Sequence, residues 1–181
     1  RLAHHALRGG LWDKAVHYGR QAGNRALDRS ALREALAAFD QARVALQELP
    51  ESRERTEQLI DLCFEQRAVL HPLGEFARVD EVLEEARALA QELGDKLRLG
   101  HILAYQAQQQ IVLGEPAQAI ETGHRACAIA EVVGELGLRV VANYYLGVAL
   151  WWSGETCRAV VPLRAVIARV KGVPPGERFG L

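Results

Sequence analysis

Apolar residues recur along most of the chain at the i, i+3, i+4, i+7 spacing of an amphipathic helix, and no run alternates as a strand would. Ala and Leu dominate these segments, and Glu, Gln and Arg fill their polar positions; all five are strong helix formers. The pattern therefore predicts an all-α chain with helices over residues 2–8, 11–28, 31–48, 53–72, 76–93, 96–113, 116–133, 136–153 and 156–171.

Glycines divide the helical pattern at a fixed interval. Gly74, Gly114 and Gly154 stand forty residues apart, each followed by Glu, and Gly94 and Gly134 lie midway between them. Each falls where a predicted helix ends, a position that favours a residue able to adopt left-handed backbone. A fixed period of this size is typical of a helix-turn-helix unit that is stacked repeatedly. The sequence thus predicts an α-solenoid, whose extended surface commonly binds a partner.

The same pattern predicts three segments. Residues 1–10 are the end of a preceding helix or a junction, residues 11–171 form a repeat domain of about four helix pairs, and residues 172–181 are an irregular tail or a truncated continuation. Two prolines depart from the regular pattern, Pro72 in the last turn of its predicted helix and Pro162 about two turns into its own. Each is expected to kink its helix or to shift the helix boundary.

Composition narrows the class of protein. An apolar fraction of 49% and a charged fraction of 25% are those of an ordinary folded chain. The net charge is −1 and no basic cluster stands out, so we expect neither nucleic acid nor membrane as a partner. The three cysteines are odd in number and widely spaced, which favours a reducing, cytoplasmic compartment. The chain begins in mid-pattern and contains no Met, which we interpret as a piece of a longer protein.

The helix pairs resemble tetratricopeptide repeats, in which small residues recur where two helices of a pair touch, with a bulky apolar residue between them. Second helices supply this pattern as Ala35-Phe39-Ala42, Val79-Leu83-Ala86, Ala119-Gly123-Ala126 and Ala159-Leu163-Val166. First helices supply the Leu-Gly contact of the family as Ala22-Gly23 and Leu146-Gly147, whereas the middle repeats carry Gln66-Arg67 and Gln106-Ala107. The resemblance covers about residues 11–171 and implies a right-handed superhelix of antiparallel helix pairs.

The forty-residue period is longer than the 34 residues of the standard repeat. Long repeats of this kind resemble the helical sensor region of bacterial signal-transduction ATPases, including cyclase-linked members. The strings that carry this second resemblance are Leu2-Ala3-His4-His5-Ala6-Leu7, Leu11-Trp12-Asp13-Lys14-Ala15-Val16, Val141-Ala142-Asn143-Tyr144-Tyr145-Leu146-Gly147 and Gly176-Glu177-Arg178-Phe179-Gly180-Leu181. It implies an attached ATPase, cyclase or transcription-regulator output domain.

The sequence carries no catalytic motif, neither a phosphate-binding loop, nor a nucleophile elbow, nor a zinc-protease helix. His124 and Cys127 have a spacing that two metal ligands could use, but no second pair with suitable spacing lies near them in the sequence. We interpret them as a surface histidine and a buried cysteine, and we predict no enzyme activity, no metal and no cofactor.

Candidate binding residues follow from the resemblance, because the first helix of each tetratricopeptide pair lines the groove. Transferred to this chain, the groove positions are His17, Arg20, Asn24, Asp61, Phe64, His71, His101, Gln108, Ile111, Tyr144, Val148 and Trp151. Most are polar or aromatic, whereas a sealed core favours Leu and Val. The alternative is that Tyr144, Trp151 and Trp152 are core residues that cover the end of the array.

The sequence therefore predicts a non-catalytic interaction or scaffold module of a larger cytoplasmic signalling protein, with a protein or peptide bound in its groove. Adjacent domains of the parent chain are further possible partners. Two alternatives remain, a sensor that binds a small effector to regulate an attached output domain, and a structural element that self-associates through an exposed helix face.

Overall fold

A computed structural model describes residues 9–174 and 179 of the chain. Eight helices and no strand occur in these residues: α1 (Trp12–Asp28), α2 (Leu32–Gln47), α3 (Arg53–Leu70), α4 (Phe76–Leu93), α5 (Lys96–Val112), α6 (Pro116–Val133), α7 (Leu136–Trp152) and α8 (Thr156–Val170). The predicted bounds of these helices are correct to within two residues. The predicted helix over 2–8, most of the predicted junction and most of the tail lie outside the described residues.

The chain forms two compact units, Arg1–Leu89 and Ala90–Leu181. In the first unit α1 packs on α2 and α2 packs on α3. The closest approach of α1 and α2 occurs at two glycines: a Cβ built on Gly19 would lie 2.9 Å from that of Ala42, and one on Gly23 would lie 2.3 Å from the ring of Phe39. Phe39 is fully buried. The predicted contact of a small residue with a bulky one is confirmed here.

In the second unit each helix packs on the next, and α5 also packs on α7. This order stacks one helix pair on its neighbour, as a repeat architecture requires. Gly147 of α7 provides the space for Leu163 of α8, whose Cγ would lie 2.6 Å from an added Cβ. Leu146, Leu150 and Ala159 form the buried centre of this pair.

The helices begin and end at the glycine, capping and proline residues that the sequence pattern indicates. The five regularly spaced glycines all adopt positive φ, between 67° and 84°: Gly74, Gly94, Gly114, Gly134 and Gly154. They are therefore turn residues, as their spacing predicts. The Asp95 carboxylate accepts a hydrogen bond from the backbone N–H of Arg98 (2.9 Å) and caps α5, while Pro116 begins α6.

Pro72 and Pro162 have different positions relative to their helices. The prediction that Pro72 lies in the last turn of its helix is wrong, because α3 ends at Leu70 and residues 71–74 form the turn that Gly74 completes. Proline lacks the N–H that another helical turn would need, so the boundary shifts. Pro162, in contrast, is buried within α8, which continues to Val170.

No helix in the described part of the chain is both long enough and apolar enough to cross a membrane.

Candidate partner-binding site

An open pocket of about 580 Å³ lies in the first unit between α1 and α3. Its wall is mostly polar and carries charges of both signs: it is lined by Asp13, Val16, His17, Arg20, Gln21, Asn24, Arg25, Asp28, Gln58 and Glu65. Three predicted groove residues, His17, Arg20 and Asn24, come together here. Residues 17, 20 and 24 share one face of α1 because their spacing is that of successive helical turns.

Arg20 and Glu65 form the best-defined contact of the pocket. Arg20 Nη2 donates to Glu65 Oε1 (2.9 Å) and Arg20 Nε donates to Glu65 Oε2 (3.1 Å), which makes the pair bidentate. Burial opposes the charge of Arg20, but the hydrogen bond to Glu65 and the nearby carboxylates of Glu65 and Asp61 outweigh it and raise the pKa of the guanidinium. The contact therefore fixes the orientation of Arg20 in the pocket wall.

The other predicted residues of the first unit have different positions. Asp61 lies close enough to Arg20 to act on it electrostatically, and Phe64 is half-buried; neither lines the pocket. His71 lies in the turn after α3, where its ring makes an edge contact with Phe76 (centroids 5.8 Å apart). Burial and the neighbouring Arg67 lower the pKa of His71. His71 therefore contributes to the turn, and not to the pocket.

The predicted residues of the second unit are partly exposed. His101 is half-buried, with Nε2 3.8 Å from Glu135 Oε2; burial lowers its pKa, and Glu135 opposes this shift. Gln108, Ile111 and Val148 are half-buried, and Tyr144 is exposed, with its ring edge against Tyr145. Trp151 and Trp152 are 56% and 64% exposed, with their centroids 5.6 Å apart. Within the described chain these two tryptophans are therefore not core residues.

A second pocket, of about 320 Å³, lies in the second unit and contains both His124 and Cys127. Leu146 and Leu150 of α7 contribute apolar surface to it, and α8 contributes Val161 and Pro162. Burial and the nearby Glu131 carboxylate, opposed by Arg169, raise the pKa of the Cys127 thiol to about 11. Among residues 9–174, no group of three or more His, Cys, Asp or Glu side chains could hold a metal ion.

A polar network in the first unit involves residues that the sequence reasoning did not identify as a group. Buried Gln66 donates to Asp40 (2.8 Å) and accepts from Arg43 (3.0 Å), and Arg43 also pairs with Glu85. The network thus joins α2, α3 and α4. The available signal was Gln66-Arg67, which replaces the Leu-Gly contact, because a buried amide needs hydrogen-bonding partners.

Comparisons with known proteins support the fold. No family model and no curated protein matches the chain. The crystal structure of BtubC (BKLC) from P. vanneervenii superposes with a TM-score of 0.75 at 16% identity, covering 92% of this chain and 68% of that one. The structure of a kinesin light chain of Podosopora anserina with nearly identical TPR-like repeats superposes with a TM-score of 0.52 at 18% identity, covering 95% and 93%. The chain thus has the all-α fold of tetratricopeptide-like repeat proteins.

Proposed function

We propose that this chain is a protein-interaction module that binds an extended segment of a partner protein in the pocket between α1 and α3. The observation that carries the proposal is the oriented Arg20 in an open wall of mixed polar chemistry. An extended peptide presents backbone N–H and C=O groups at regular intervals. The amides Gln21, Asn24 and Gln58 can both donate and accept, so they suit those groups.

The shape and chemistry of the pocket favour a peptide over a small effector. Small-molecule sites usually enclose their ligand and are lined mainly by apolar side chains. Among the described residues, Val16 is the one aliphatic side chain of the lining, and exposed polar side chains such as His17 and Asn24 form the wall. A sensor for a small ligand is therefore the second hypothesis, and the experiment below distinguishes it.

The exposed aromatic residues of the second unit provide a separate candidate contact. Tyr144 and Trp151 are both exposed, and large aromatic side chains are frequent anchors in protein interfaces because each buries much area at low entropic cost. We propose that Tyr144, Val148 and Trp151 contact a partner protein. We propose neither a reaction nor a cofactor for this contact.

The resemblance to bacterial signal-transduction ATPases suggests a context for this module. We propose that it belongs to a larger cytoplasmic signalling protein in which a neighbouring ATPase, cyclase or transcription-regulator domain responds to partner binding. The support is the likeness of the four strings given above. Sequencing of the flanking coding region tests this context, and a parent chain without a nucleotide-binding domain would contradict it.

Peptide selection tests the pocket directly. A random peptide library is selected against the immobilised chain, and the affinities of the selected peptides are measured by fluorescence anisotropy. For peptides bound at the pocket, we expect Arg20→Ala to weaken binding by about tenfold or more, because a fixed charge-assisted contact is lost. Arg33→Ala, which removes an exposed arginine of α2 outside the pocket, should leave the affinity unchanged.

Circular dichroism shows whether each variant is folded, and Tyr144→Ala/Trp151→Ala tests the aromatic contact in the same assay. Selected peptides that bind wild type, Arg20→Ala and Tyr144→Ala/Trp151→Ala with equal affinity would contradict the proposal. Saturable thermal stabilisation by a small metabolite that Arg20→Ala abolishes, with no selected peptide, would favour the sensor hypothesis instead.

A further inference from the structure

The polar network of the first unit and the second pocket occupy the same place in the repeat. The repeat pattern aligns Phe39 of α2 with Gly123 of α6, and Gln66 of α3 with Leu146 of α7, and we call residues aligned in this way equivalent. Four pocket residues are then equivalent to polar residues of the first unit: His124 to Asp40, Cys127 to Arg43, Leu146 to Gln66 and Arg158 to Arg78.

In the first unit, side chains of α2, α3 and α4 fill this place themselves. Arg43 of α2 donates to Gln66 of α3 (3.0 Å) and pairs with Glu85 of α4, and Gln66 donates to Asp40 (2.8 Å). The repeat therefore assigns no further helix to this groove, because its occupants belong to the helices that form it.

In the second unit the same place is a pocket of about 320 Å³ between α6, α7 and α8. Three long polar side chains of the first unit are replaced here by smaller or apolar ones, at the equivalent positions Arg43 and Cys127, Gln66 and Leu146, and Glu85 and Ala165. Leu150, Val161 and Pro162 provide further apolar lining. A volume of this order and a mainly apolar lining are typical of sites for small molecules.

The arginine of the pocket indicates the charge of the ligand. In the first unit Arg78 pairs with two carboxylates: its Nη1 lies 2.9 Å from Glu75 Oε2, and its Nη2 lies 3.5 Å from Asp40 Oδ2. The equivalent arginine of the second unit, Arg158, pairs with Glu155, which is equivalent to Glu75. Arg158 thus keeps the first of these carboxylates and lacks the equivalent of the second.

A histidine stands where that second carboxylate would be. His124 is equivalent to Asp40, lines the same pocket as Arg158, and has no hydrogen-bonding or ionic partner among residues 9–174. Neutral imidazole donates one hydrogen bond, and a guanidinium group donates several. A carboxylate that a ligand brings would therefore meet two donors at the place that Asp40 occupies in the first unit.

We propose that the second unit binds a small amphipathic carboxylate in the pocket between α6, α7 and α8. The carboxylate lies against Arg158 and His124, and the hydrocarbon body lies on Leu146, Leu150 and Pro162. This site shares no residue with the pocket between α1 and α3, and it does not depend on peptide binding there.

Octanoate is the probe, and octan-1-ol and octylamine are its matched controls, since the three have the same number of carbon atoms and differ in the head group. Binding to the isotope-labelled chain is followed by amide chemical shifts at neutral pH. We expect octanoate to bind about fivefold more tightly than either control, because only a carboxylate accepts charge-assisted hydrogen bonds from Arg158. The shifted signals should belong to the parts of α6, α7 and α8 that line the pocket.

Variants of the lining test the comparison with the first unit. His124→Asp supplies the carboxylate that the first unit has at this place, so it should occupy Arg158 and repel octanoate, with an affinity about fivefold lower. Cys127→Arg supplies the side chain that fills the groove of the first unit and should weaken octanoate by about tenfold or more. Val132→Asp is the matched control, because it places a carboxylate at an exposed position of α6 outside the pocket, and it should leave the affinity unchanged.

Arg158→Gln separates the head group from the hydrocarbon body, since it should bind octanoate no more tightly than octan-1-ol. Circular dichroism shows whether each variant is folded. Equal affinities of wild type for octanoate and octan-1-ol would overturn the proposal, as would octanoate binding that Arg158→Gln and His124→Asp leave unchanged. The absence of pocket shifts with both octanoate and 4-phenylbutanoate, whose body is aromatic, would overturn it as well.

Discussion

The ring of Phe39 on α2 occupies the space that a side chain at Gly23 on α1 would need. A Cβ at Gly23 would lie 2.3 Å from the ring, and Phe39 is fully buried. We expect Gly23→Leu to lower the free energy of unfolding by about 1–3 kcal/mol, because the overpacked ring must move. Urea denaturation measures the change. Asn24→Ala, at an exposed neighbouring position, should stay within about 0.5 kcal/mol of wild type.

At Gly114 a side chain is disfavoured by the backbone conformation, and not by steric crowding as at Gly23. Its φ is 81°, and apart from Gly114 and its two chain neighbours no atom of the described residues lies within 4 Å of an added Cβ, so the backbone conformation is what restricts this position. We expect Gly114→Val to destabilise the chain by about 1 kcal/mol or more, and Gly114→Asn to cost less because Asn accepts left-handed backbone. Equal denaturation midpoints for wild type and Gly114→Val would contradict the turn assignment.

Replacement of Glu65 should lower the folding stability more than replacement of an exposed carboxylate does. Both carboxylate oxygens of Glu65 accept hydrogen bonds from Arg20, and the side chains of Arg20 and Glu65 are mostly buried. Glu65→Leu leaves the guanidinium of Arg20 without this partner, so we expect a loss of about 1–3 kcal/mol in thermal or urea denaturation. Glu34→Leu removes the carboxylate from an exposed pair with Arg29 and should cost less than about 1 kcal/mol. Equal losses would contradict this ranking.

Stability should fall in mild acid through two histidines. Burial lowers the pKa of both His71 and His101 in the folded chain; Arg67 adds to the shift at His71, and Glu135 opposes it at His101. The unfolded chain, with histidine pKa values near 6.5, then binds more protons than the folded chain. This contribution to stability is fully present above about pH 6.5 and is lost as the pH falls through the lowered values.

Urea titrations at a series of pH values measure this effect. The His71→Gln/His101→Gln double variant should lose less stability between neutral and mildly acidic pH than wild type does. An identical pH dependence in the double variant would show that these histidines do not cause it.

The three cysteines should react in a fixed order. Cys157 is exposed, Cys127 is half-buried and Cys63 is buried. Burial, together with the nearby Glu85 and against the opposing effect of Arg43, raises the pKa of the Cys63 thiol to about 11, so little reactive thiolate is present at pH 8. We expect iodoacetamide to modify Cys157 first and Cys63 last, as measured by peptide mass spectrometry. In concentrated urea the difference should disappear, and early modification of Cys63 in buffer would contradict its burial.

Much of the fold could be predicted because it follows from local rules. The apolar spacing gives the helices, and Gly74, Gly114 and Gly154 occupy positions where few other residues are stable. The apolar pattern continues to position 72, so it placed Pro72 inside the helix, whereas the missing N–H of proline ends α3 at Leu70.

The binding residues were harder to predict. His17, Arg20 and Asn24 share a helix face and did come together, but the pairing of Arg20 with Glu65 joins residues forty-five positions apart. Such a contact depends on how α1 and α3 pack, and no local pattern encodes it. The roles of Tyr144 and Trp151 remain predictions for the binding experiments.

The network of Asp40, Arg43, Gln66 and Glu85 gives one repeat an individual identity. Repeat modules that meet through apolar surfaces alone can be exchanged or reordered, since one such surface is much like another. Here, a module transplanted between α2 and α4 without a glutamine at position 66 would leave Asp40 without its hydrogen-bonding partner from α3, and would leave Arg43 only its long contact with Cys63 on that helix. At this point the side chains therefore restrict which helix can lie between α2 and α4.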